Sequence, residues 1–247
     1  MDGNWTIGID EAGRGPVIGP LVVAALAIPN DEISQLSKLG VKDSKEISRS
    51  ERVRISEEIS RHIEQGRWKS GIVICKAKRI DINSISSDLN SLEIELFSEA
   101  ISELNIASKD GTIKADACDV NEERFRYRLE SALGDDWGNW NIHAEHGMDS
   151  KDLVTGGASI LAKVTRDSAI QEISSRTGLD VGSGYPSDQK TRKAVETLLS
   201  EGKIHDSIRW SWATVSDIWG KLHPTPVPVR SKDGNYVVQS SLDDWRV

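Results

Sequence analysis

Four carboxylates end or closely follow apolar segments that have the pattern of β-strands: Asp10, Glu11, Asp116 and Asp149. Burying a carboxylate beside apolar residues costs free energy unless something compensates its charge. Two divalent cations, held about 3.5–4 Å apart by a cluster of such acids, would supply that compensation and would catalyse phosphodiester hydrolysis. Because Mg²⁺ keeps several of its waters and needs only a few carboxylates, four acids suffice. These residue types therefore favour a two-metal hydrolytic site.

The same four residues have a purely structural interpretation. Aspartates at strand ends commonly accept hydrogen bonds from backbone N–H groups in turns and helix caps. Separation along the chain gives no direct information about distance in space. Residue spacing alone therefore leaves both interpretations open.

The elements that would position these acids alternate between strands and helices. Apolar or alternating segments predict five strands, at residues 5–9, 17–28, 71–75, 112–118 and 140–144. A capping box at residues 48–51 starts one helix, and helical periodicity returns at residues 88–104, 121–133, 153 onward, 188–199 and 211–222. Strands interleaved with helices, followed by helices alone, predict an α/β fold with a mixed sheet and a helical C-terminal region.

Length and charge set broad limits on the function. The chain has 247 residues, which suits one large domain or one domain with a small extension. Its formal net charge is −8, whereas nucleic-acid enzymes are more often basic. Metal ions can neutralise an acidic site, and many acids fall in helical segments that we expect to be solvated, at residues 51–64 and 93–103. The acidic balance therefore does not exclude a nucleic-acid substrate.

Cysteine use and hydropathy indicate the compartment. Cys75 and Cys118 are far apart and neither belongs to a CxxC pair, so a zinc site or disulfide framework has little support. We expect two buried, reduced thiols. No apolar run reaches the length of about 18 residues that a membrane span needs, and the first residues lack the pattern of a secretory signal. These features predict a cytoplasmic protein.

Seven short segments together form a pattern that is more specific than the four acids alone. They lie at residues 9–20, 43–45, 115–120, 144–149, 158–167, 182–188 and 208–212, and the first contains Ile-Asp-Glu-Ala-Gly-Arg-Gly-Pro followed by Gly-Pro. In sequence and in order they closely resemble the signature motifs of the ribonuclease HII family (type 2 ribonuclease H). The residues in these motifs are most similar to those of archaeal members. The resemblance covers about residues 5–220. Several motifs in one order are far more specific than a lone Asp-Glu pair.

The resemblance implies a ribonuclease-H-like mixed β-sheet flanked by helices, and it assigns four metal-binding catalytic acids: Asp10, Glu11, Asp116 and Asp149. The cofactor would be two divalent ions, Mg²⁺ or Mn²⁺. Asp119 is a rival to Asp116, which we prefer because the family's acid directly follows the apolar strand residues. His146 is interpreted as a surface or capping residue rather than a base. The Arg166–Asp167 pair is interpreted as structural.

Other residues would read the substrate. Two glycines in Gly13-Arg14-Gly15 let the backbone approach a ligand closely. The resemblance implies that this turn contacts the 2′-hydroxyl of a ribonucleotide at an RNA–DNA junction, and that Tyr185 packs on the sugar beside the cut. The alternatives are a plain tight turn and a half-buried core tyrosine. Three residues are candidate phosphate contacts, each of which could equally be a solvated charge: Lys45, Lys163 and Arg166.

The implied activity is an endonuclease that hydrolyses the RNA strand of RNA–DNA hybrids and cuts 5′ to ribonucleotides embedded in duplex DNA. Two-metal-ion hydrolysis would leave 3′-hydroxyl and 5′-phosphate ends. Two alternatives stay open. One is a related two-metal DNA nuclease, against which the Gly-Arg-Gly turn and Tyr185 argue. The other is a clamp-associated nucleic-acid-binding protein without catalysis. A monomer is the simplest expectation.

One stretch departs from the family's pattern. Where family members often carry Lys-Ala-Asp-Ala-Lys-Tyr-Pro, residues 147–153 are Gly-Met-Asp-Ser-Lys-Asp-Leu. The acid Asp149 is kept, but Asp152 adds a charge close by. Asp152 is therefore an alternative metal ligand, less favoured than Asp149.

The C-terminal part differs in composition from the rest. We interpret residues 1–222 as the catalytic domain, residues 223–238, with three prolines within five residues, as a linker, and residues 239–247 as a tail. In the tail, Gln239, Leu242 and Trp245 resemble a box that binds sliding clamps, although Arg246 stands where a second aromatic residue is usual. One helical turn would put Leu242 and Trp245 on the same side. An ordinary disordered tail is the alternative.

Overall fold

The computed structural model describes residues 4–41, 47–231 and 235–237. Five strands form one sheet: β1 (Trp5–Ala12), β2 (Leu21–Pro29), β3 (Lys69–Cys75), β4 (Gly111–Asp116) and β5 (Trp140–Glu145). Their order is β3-β2-β1-β4-β5, with β2 antiparallel to β1, β4 parallel to β1, and β5 parallel to β4. This mixed sheet confirms the predicted α/β fold class.

Nine α-helices are present in the described part of the chain: α1 (Ser34–Leu39), α2 (Arg49–Glu64), α3 (Ala77–Asn83), α4 (Leu89–Ser102), α5 (Glu122–Leu133), α6 (Met148–Lys151), α7 (Leu153–Thr177), α8 (Gln189–Ser200) and α9 (Ala213–Leu222). The predicted capping box is confirmed, because the Ser48 side chain accepts a hydrogen bond from the N–H of Glu51. The three shortest helices, α1, α3 and α6, are not predicted from the sequence.

β2 is the most deeply buried strand. Every residue from Leu21 to Ile28 is fully buried, as expected of a nearly continuous apolar run. The strand begins at Leu21 rather than at the predicted residue 17, since Pro20 has no N–H to donate to a ladder. Upstream of Pro20, Ile18 forms an isolated antiparallel bridge with Ile208.

The chain divides into two compact units: Met1–Ala12, Val22–Ile74 and Asn90–Thr165 make the first, and Gly13–Leu21, Cys75–Leu89 and Arg166–Val247 make the second. In the first unit, side chains of β2, α2 and α7 share a core that includes Leu26, Ile55 and Ala158. In the second, Trp210 and Trp219 pack edge to face, 5.7 Å apart, in a core with residues of α8 and α9. Each unit therefore has a hydrophobic core of its own.

The segment interpreted as a linker is partly packed. β6 (Val229–Arg230) pairs with β7 (Tyr236–Val237) in an antiparallel ribbon. Arg230 is 3% exposed, and its Nε lies 3.1 Å from Oδ2 of Asp81. Its guanidinium also stacks over the Tyr236 ring at 4.1 Å. The structure thus differs from the sequence interpretation for this part of residues 223–238, because a buried ion pair holds it.

Two further expectations concern the thiols and the membrane. Cys75 is buried and Cys118 is partly buried, and the two thiols are not joined in a disulfide. In the described ranges, no helix combines the length and apolar character that crossing a bilayer requires.

Candidate active site

Asp10 and Asp116 lie side by side on parallel strands. β1 and β4 are paired as far as Ile9 and Ala115, and an aspartate is the next residue in each strand. Because neighbouring strands present paired residues on the same face of a sheet, the two carboxylates project together. Asp10 is 4% exposed, and Asp116 is partly buried.

Asp116 also fixes the segment that carries Asp149. Its Oδ1 accepts hydrogen bonds from the backbone N–H groups of Gly147 (2.8 Å) and Met148 (3.3 Å). These groups stand at the start of α6, whose first turn contains Asp149. The short helix is therefore held at the end of β4, with the Asp149 side chain buried beside the other two acids.

Three carboxylates meet in this place. Oxygen atoms of Asp10, Asp116 and Asp149 all lie within 4.8 Å of one another, the one such group of possible metal ligands in the described residues. Glu11, the next residue in β1, is not in this group of three. The Glu11 backbone does contribute, since its N–H donates to Asp10 Oδ1 at 2.7 Å.

The raised pKa of Asp10 reflects its burial first and the crowding of like charges second. Burial raises the pKa of Asp10 to about 6, and the negative charges of Asp116 and Asp149 act in the same direction. A hydrogen bond from Ser159 and the positive charge of Lys163 act in the opposite direction. The cluster therefore needs more positive charge than the nearby protein groups provide.

Helix α7 supplies the two groups that oppose this crowding. Lys163 Nζ donates to Ser159 Oγ at 2.7 Å and lies 3.6 Å from Asp149 Oδ2. The helix can approach the sheet because Gly8 has no Cβ, which would lie 2.2 Å from the backbone nitrogen of Thr155. Lys163 is predicted as a phosphate contact, and the structure puts its ammonium next to Asp149 with 28% of the side chain exposed.

This arrangement fits divalent cations. The donors are carboxylate oxygens, which are the ligands that hard ions such as Mg²⁺ and Mn²⁺ prefer. Among the described residues, Lys163 places its ammonium 3.6 Å from Asp149 Oδ2, beside three buried or partly buried acids. A cation would therefore offset the burial and the like-charge repulsion that together raise the pKa of Asp10.

Asp119 does not belong to the cluster. Its carboxylate is 1% exposed and is paired with Arg124, whose Nε donates to Oδ2 at 2.9 Å. Its Oδ1 accepts the N–H of Asn121 at 3.1 Å. The choice of Asp116 over Asp119 agrees with this geometry, because Asp119 holds the start of α5 instead.

Asp152 and His146 also have structural partners. Asp152 Oδ1 accepts the N–H groups of Val154 and Thr155, both at 3.0 Å, and so caps the start of α7. His146 has a 52% exposed side chain, and its Nδ1 lies 3.0 Å from the carbonyl oxygen of Ala117. Neither residue is in the group of three carboxylates, which agrees with the roles preferred for them from the sequence.

The Gly-Arg-Gly turn lies in the second unit and needs its first glycine. Gly13 has φ +90°, and a Cβ there would lie 2.7 Å from the carbonyl oxygen of Pro20. Gly15 is exposed, and a Cβ there would meet the Tyr185 ring at 3.5 Å. The structure therefore brings together the turn and the tyrosine that the sequence predicts to read the sugar, and Tyr185 is 37% exposed.

Arg166 lies behind Tyr185 rather than on the surface. It is 7% exposed, its Nη2 donates to the carbonyl of Ser183, and its Cζ lies 5.1 Å from the centre of the Tyr185 ring. It also pairs with Asp167 at 3.4 Å, which agrees with a structural ion pair. Arg166 is predicted as a phosphate contact, but its guanidinium is not exposed for such a contact.

Sequence reasoning missed Arg209, which is fully buried in the second unit. Its guanidinium donates to the carbonyl oxygens of Gly13 (2.6 Å), Arg14 (2.8 Å) and Gly19 (3.0 Å). The available signal was its place in the motif at residues 208–212, although the motif does not indicate contacts so distant in sequence. Other predicted residues lie outside the described ranges: Lys45, Gln239, Leu242 and Trp245.

Known proteins share this sequence and fold. A family model described as Ribonuclease HII matches residues 7–215. Ribonuclease HII of Thermococcus sibiricus is 41% identical over 216 residues, which are 87% of this chain and 91% of that protein.

Solved structures agree. The structure of the ribonuclease H2 from Pyrococcus horikoshii is similar with a TM-score of 0.78 at 34% identity, over 88% of this chain and 98% of that one. A chain of the PCNA:RNase HII complex from Archaeoglobus fulgidus has a TM-score of 0.74 at 33% identity, over 97% and 99%. These matches confirm the ribonuclease-H-like fold. The chain belongs to the ribonuclease HII family and is a metal-dependent endoribonuclease.

Proposed function

We propose that this endonuclease cuts the RNA strand of RNA–DNA hybrids and also cuts 5′ to single ribonucleotides embedded in duplex DNA. The observation that carries the proposal is the group of three carboxylates, Asp10, Asp116 and Asp149, within 4.8 Å of one another. A cluster of buried acids of this kind suits phosphodiester hydrolysis. Within the proposal, residues 1–222 are the catalytic part of a monomer.

The proposed cofactors are two divalent ions, Mg²⁺ or Mn²⁺, held by the three aspartates together with Glu11. When bound, such ions activate water and stabilise the leaving oxygen, so that the products carry 3′-hydroxyl and 5′-phosphate ends. The chain's own groups keep this site in order. Asp116 holds the start of α6 so that Asp149 stays next to it. Lys163 offsets part of the negative charge and lies 3.6 Å from Asp149.

The proposed readers of the ribonucleotide are the Gly13–Gly15 backbone and Tyr185. Without side chains at Gly13 and Gly15, this backbone can come close to a sugar and offer its N–H groups to the 2′-hydroxyl. Tyr185 is 37% exposed and lies against Gly15, which suits a ring that packs on the neighbouring deoxyribose. Among the candidate phosphate contacts, Lys45 and Lys163 stay in the proposal and Arg166 is better suited to support Tyr185.

A sliding clamp is the proposed protein partner. The Archaeoglobus fulgidus relative was solved as a PCNA:RNase HII complex. In this chain the proposed contact is the C-terminal box of Gln239, Leu242 and Trp245. Binding of a purified archaeal clamp to the full chain and to a Leu242→Ala, Trp245→Ala variant tests this, and equal affinity for both proteins would reject the box.

The reaction is tested with end-labelled duplex DNA that carries one ribonucleotide, beside an all-DNA control, with and without Mg²⁺. We expect cutting 5′ to the ribonucleotide by the wild type only when metal is present. Asp10→Asn should not cut, because it removes one of three clustered carboxylates. Asp119→Asn is the matched control and should cut, because Asp119 pairs with Arg124 outside the cluster.

The other outcomes separate the alternatives. Cutting of the all-DNA control would indicate a two-metal DNA nuclease. Failure of folded wild-type protein to cut with either Mg²⁺ or Mn²⁺ would favour a nucleic-acid-binding protein without catalysis. Loss of cutting in Asp119→Asn with a folded protein would mean that the cluster is assigned to the wrong acid.

A further inference from the structure

Arg209 is a buried charge that contacts the proposed ribonucleotide reader from behind. Its side chain is fully buried, and Nη2, Nη1 and Nε donate to the carbonyl oxygens of Gly13 (2.6 Å), Arg14 (2.8 Å) and Gly19 (3.0 Å). The acceptors stand about 190 residues earlier in the chain. A planar guanidinium holds several carbonyls in a fixed, spread-out arrangement, whereas the three donors of an ammonium diverge from one nitrogen and cannot reproduce that arrangement.

The buried charge of Arg209 is stabilised by carbonyl groups and an aromatic ring rather than by an ion pair. Among the described residues, no carboxylate forms an ion pair with it. Its direct contacts are neutral carbonyls and the face of Trp212, whose ring centre is 5.0 Å from Cζ. Burying an arginine without a carboxylate is costly, and a well-packed apolar residue would be less so. This cost suggests that Arg209 does something besides stabilising the fold.

Peptide geometry indicates what that is. In a trans peptide the C=O and the following N–H lie in one plane and point in opposite directions, and the described chain has no cis peptide bond. Arg209 draws the carbonyls of Gly13 and Arg14 toward itself. The N–H groups of the same two peptide units, those of Arg14 and Gly15, are therefore turned to the opposite side. Charge-assisted hydrogen bonds to the carbonyls also polarise these units, which strengthens their N–H donors.

Trp212 holds the end of the same turn. Its indole N–H donates to the carbonyl oxygen of Gly15 at 3.3 Å, and its ring lies against the Arg209 guanidinium. Trp212 is partly exposed, whereas Arg209 is fully buried. All three carbonyls of the Gly13–Gly15 turn are thus held from one side by two residues of a single loop.

We propose that Arg209, with Trp212, is the positioning residue that orients the Gly13–Gly15 peptide units so that their N–H groups select a ribonucleotide over a deoxyribonucleotide. Arg209 does not touch the substrate. The inference rests on the proposed function, because it assigns the turn as the reader of the 2′-hydroxyl. It goes beyond that function by naming the residues that make the reader selective.

The test compares the affinity of the full chain for two duplexes, one with a single ribonucleotide and one of DNA alone. Metal is omitted so that the substrate survives, and the salt concentration is fixed. For Arg209→Met and Arg209→Lys we expect the ratio of the two affinities to fall about tenfold, since a lysine keeps the charge but lacks the planar fork that reaches all three carbonyls. The effect of Trp212→Phe should be smaller and in the same direction.

The matched control is Arg230→Lys, which changes another buried arginine of the same unit, one that is paired with Asp81. It should melt at a lower temperature than the wild type but keep the affinity ratio. A purely structural role for Arg209 predicts the same pattern for Arg209→Lys, and that result would overturn the inference. If neither Arg209 variant folds, Trp212→Phe decides, and an unchanged ratio in that variant overturns it.

The proposed function can fail separately from this inference. A wild-type ratio near one would overturn the inference, and a cutting assay of the same protein with Mg²⁺ would report independently on the function. If cutting still depends on the ribonucleotide, the proposed function is supported, and only the assignment of the Gly13–Gly15 turn as the reader of the 2′-hydroxyl is rejected.

Discussion

Lys114 Nζ and Asp152 Oδ2 lie 2.6 Å apart. Lys114 belongs to β4, two residues before Asp116, and Asp152 caps α7 through the N–H groups of Val154 and Thr155. The acid that departs from the family's pattern therefore links the strand that carries Asp116 to the helix that carries Ser159 and Lys163. The negative charge of Asp152 therefore stabilises the fold through Lys114 and the start of α7.

Asp152→Ala should lower stability and leave catalysis intact. The substitution removes both the helix cap and the partner of Lys114, which is 34% exposed, so we expect a loss of about 2 kcal/mol in the free energy of unfolding. Denaturant melts measure this loss, and cutting per folded molecule should stay close to the wild type.

Asp149→Asn is the control for that experiment and should give the reverse pattern, with cutting lost and stability kept or raised. A marked drop in Mn²⁺ affinity in Asp152→Ala, measured by calorimetry on folded protein, would instead make Asp152 a metal ligand.

Two glycines of one turn should respond differently to alanine. Gly13→Ala places a Cβ at φ +90° and 2.7 Å from the Pro20 carbonyl, which should cost about 1–3 kcal/mol of stability. Gly15→Ala places a Cβ at 3.5 Å from Tyr185, an ordinary contact, so its melting temperature should be unchanged. Because the new methyl group stands where the backbone would meet the sugar, KM for a ribonucleotide-containing duplex should rise about tenfold. An unchanged KM in Gly15→Ala would argue against this turn as the reader.

The sequence predicted most of the sheet and most of the cluster, for a clear physical reason. Apolar alternation marks strands, and parallel neighbours β1 and β4 bring the acids at their ends together. Asp10 and Asp116 were therefore within reach of sequence reasoning. The position of Asp149 depended on α6, which has only four residues and is too short for helical periodicity to be visible.

Buried charges were the main failure of sequence reasoning. Glu93 falls in a segment predicted to be solvated but is fully buried, as is Arg209, and Arg230 is 3% exposed. Charged residues are seldom buried without partners, and the partners of Arg209 and Arg230 are about 190 and 149 residues away in sequence. Local patterns carry no information about such contacts.

Asp119 should make stability depend on pH. The hydrogen bond from Arg124 holds the pKa of Asp119 below its usual value, with a smaller contribution from the Asn121 N–H. A lowered pKa means that the ionised acid stabilises the folded state at pH values above the unfolded pKa of about 3.9, and that this contribution is lost as the pH falls through the folded pKa. Asp119→Asn should therefore melt a few degrees below the wild type at pH 7, by roughly 2–4 °C per kcal/mol.

The difference in melting temperature between the two proteins should begin to close as the pH falls below about 4, where Asp119 of the unfolded chain takes up a proton. It should vanish once the pH has passed the lowered pKa of the folded state. Arg124 is 53% exposed, so solvent screening keeps the effect small. A gap that stays constant down to acid pH would mean that the pair contributes through packing rather than charge.

The buried pair of Arg230 and Asp81 predicts where the stable part of the chain ends. Asp81 Oδ1 accepts the N–H (3.0 Å) and hydroxyl (2.8 Å) of Ser211, and Oδ2 faces Arg230 Nε at 3.1 Å. Removing one member of a buried pair leaves the other charge unpaired, at a cost of about 3–5 kcal/mol. Arg230→Met and a chain ending at residue 222 should therefore both lose stability by comparable amounts.

In the Arg230→Met, Asp81→Asn double variant the loss should be smaller than the sum of the two single losses, since no isolated charge remains. Additive losses in this cycle, or a chain ending at residue 222 as stable as the full one, would mean that residues 223–238 act as a linker after all.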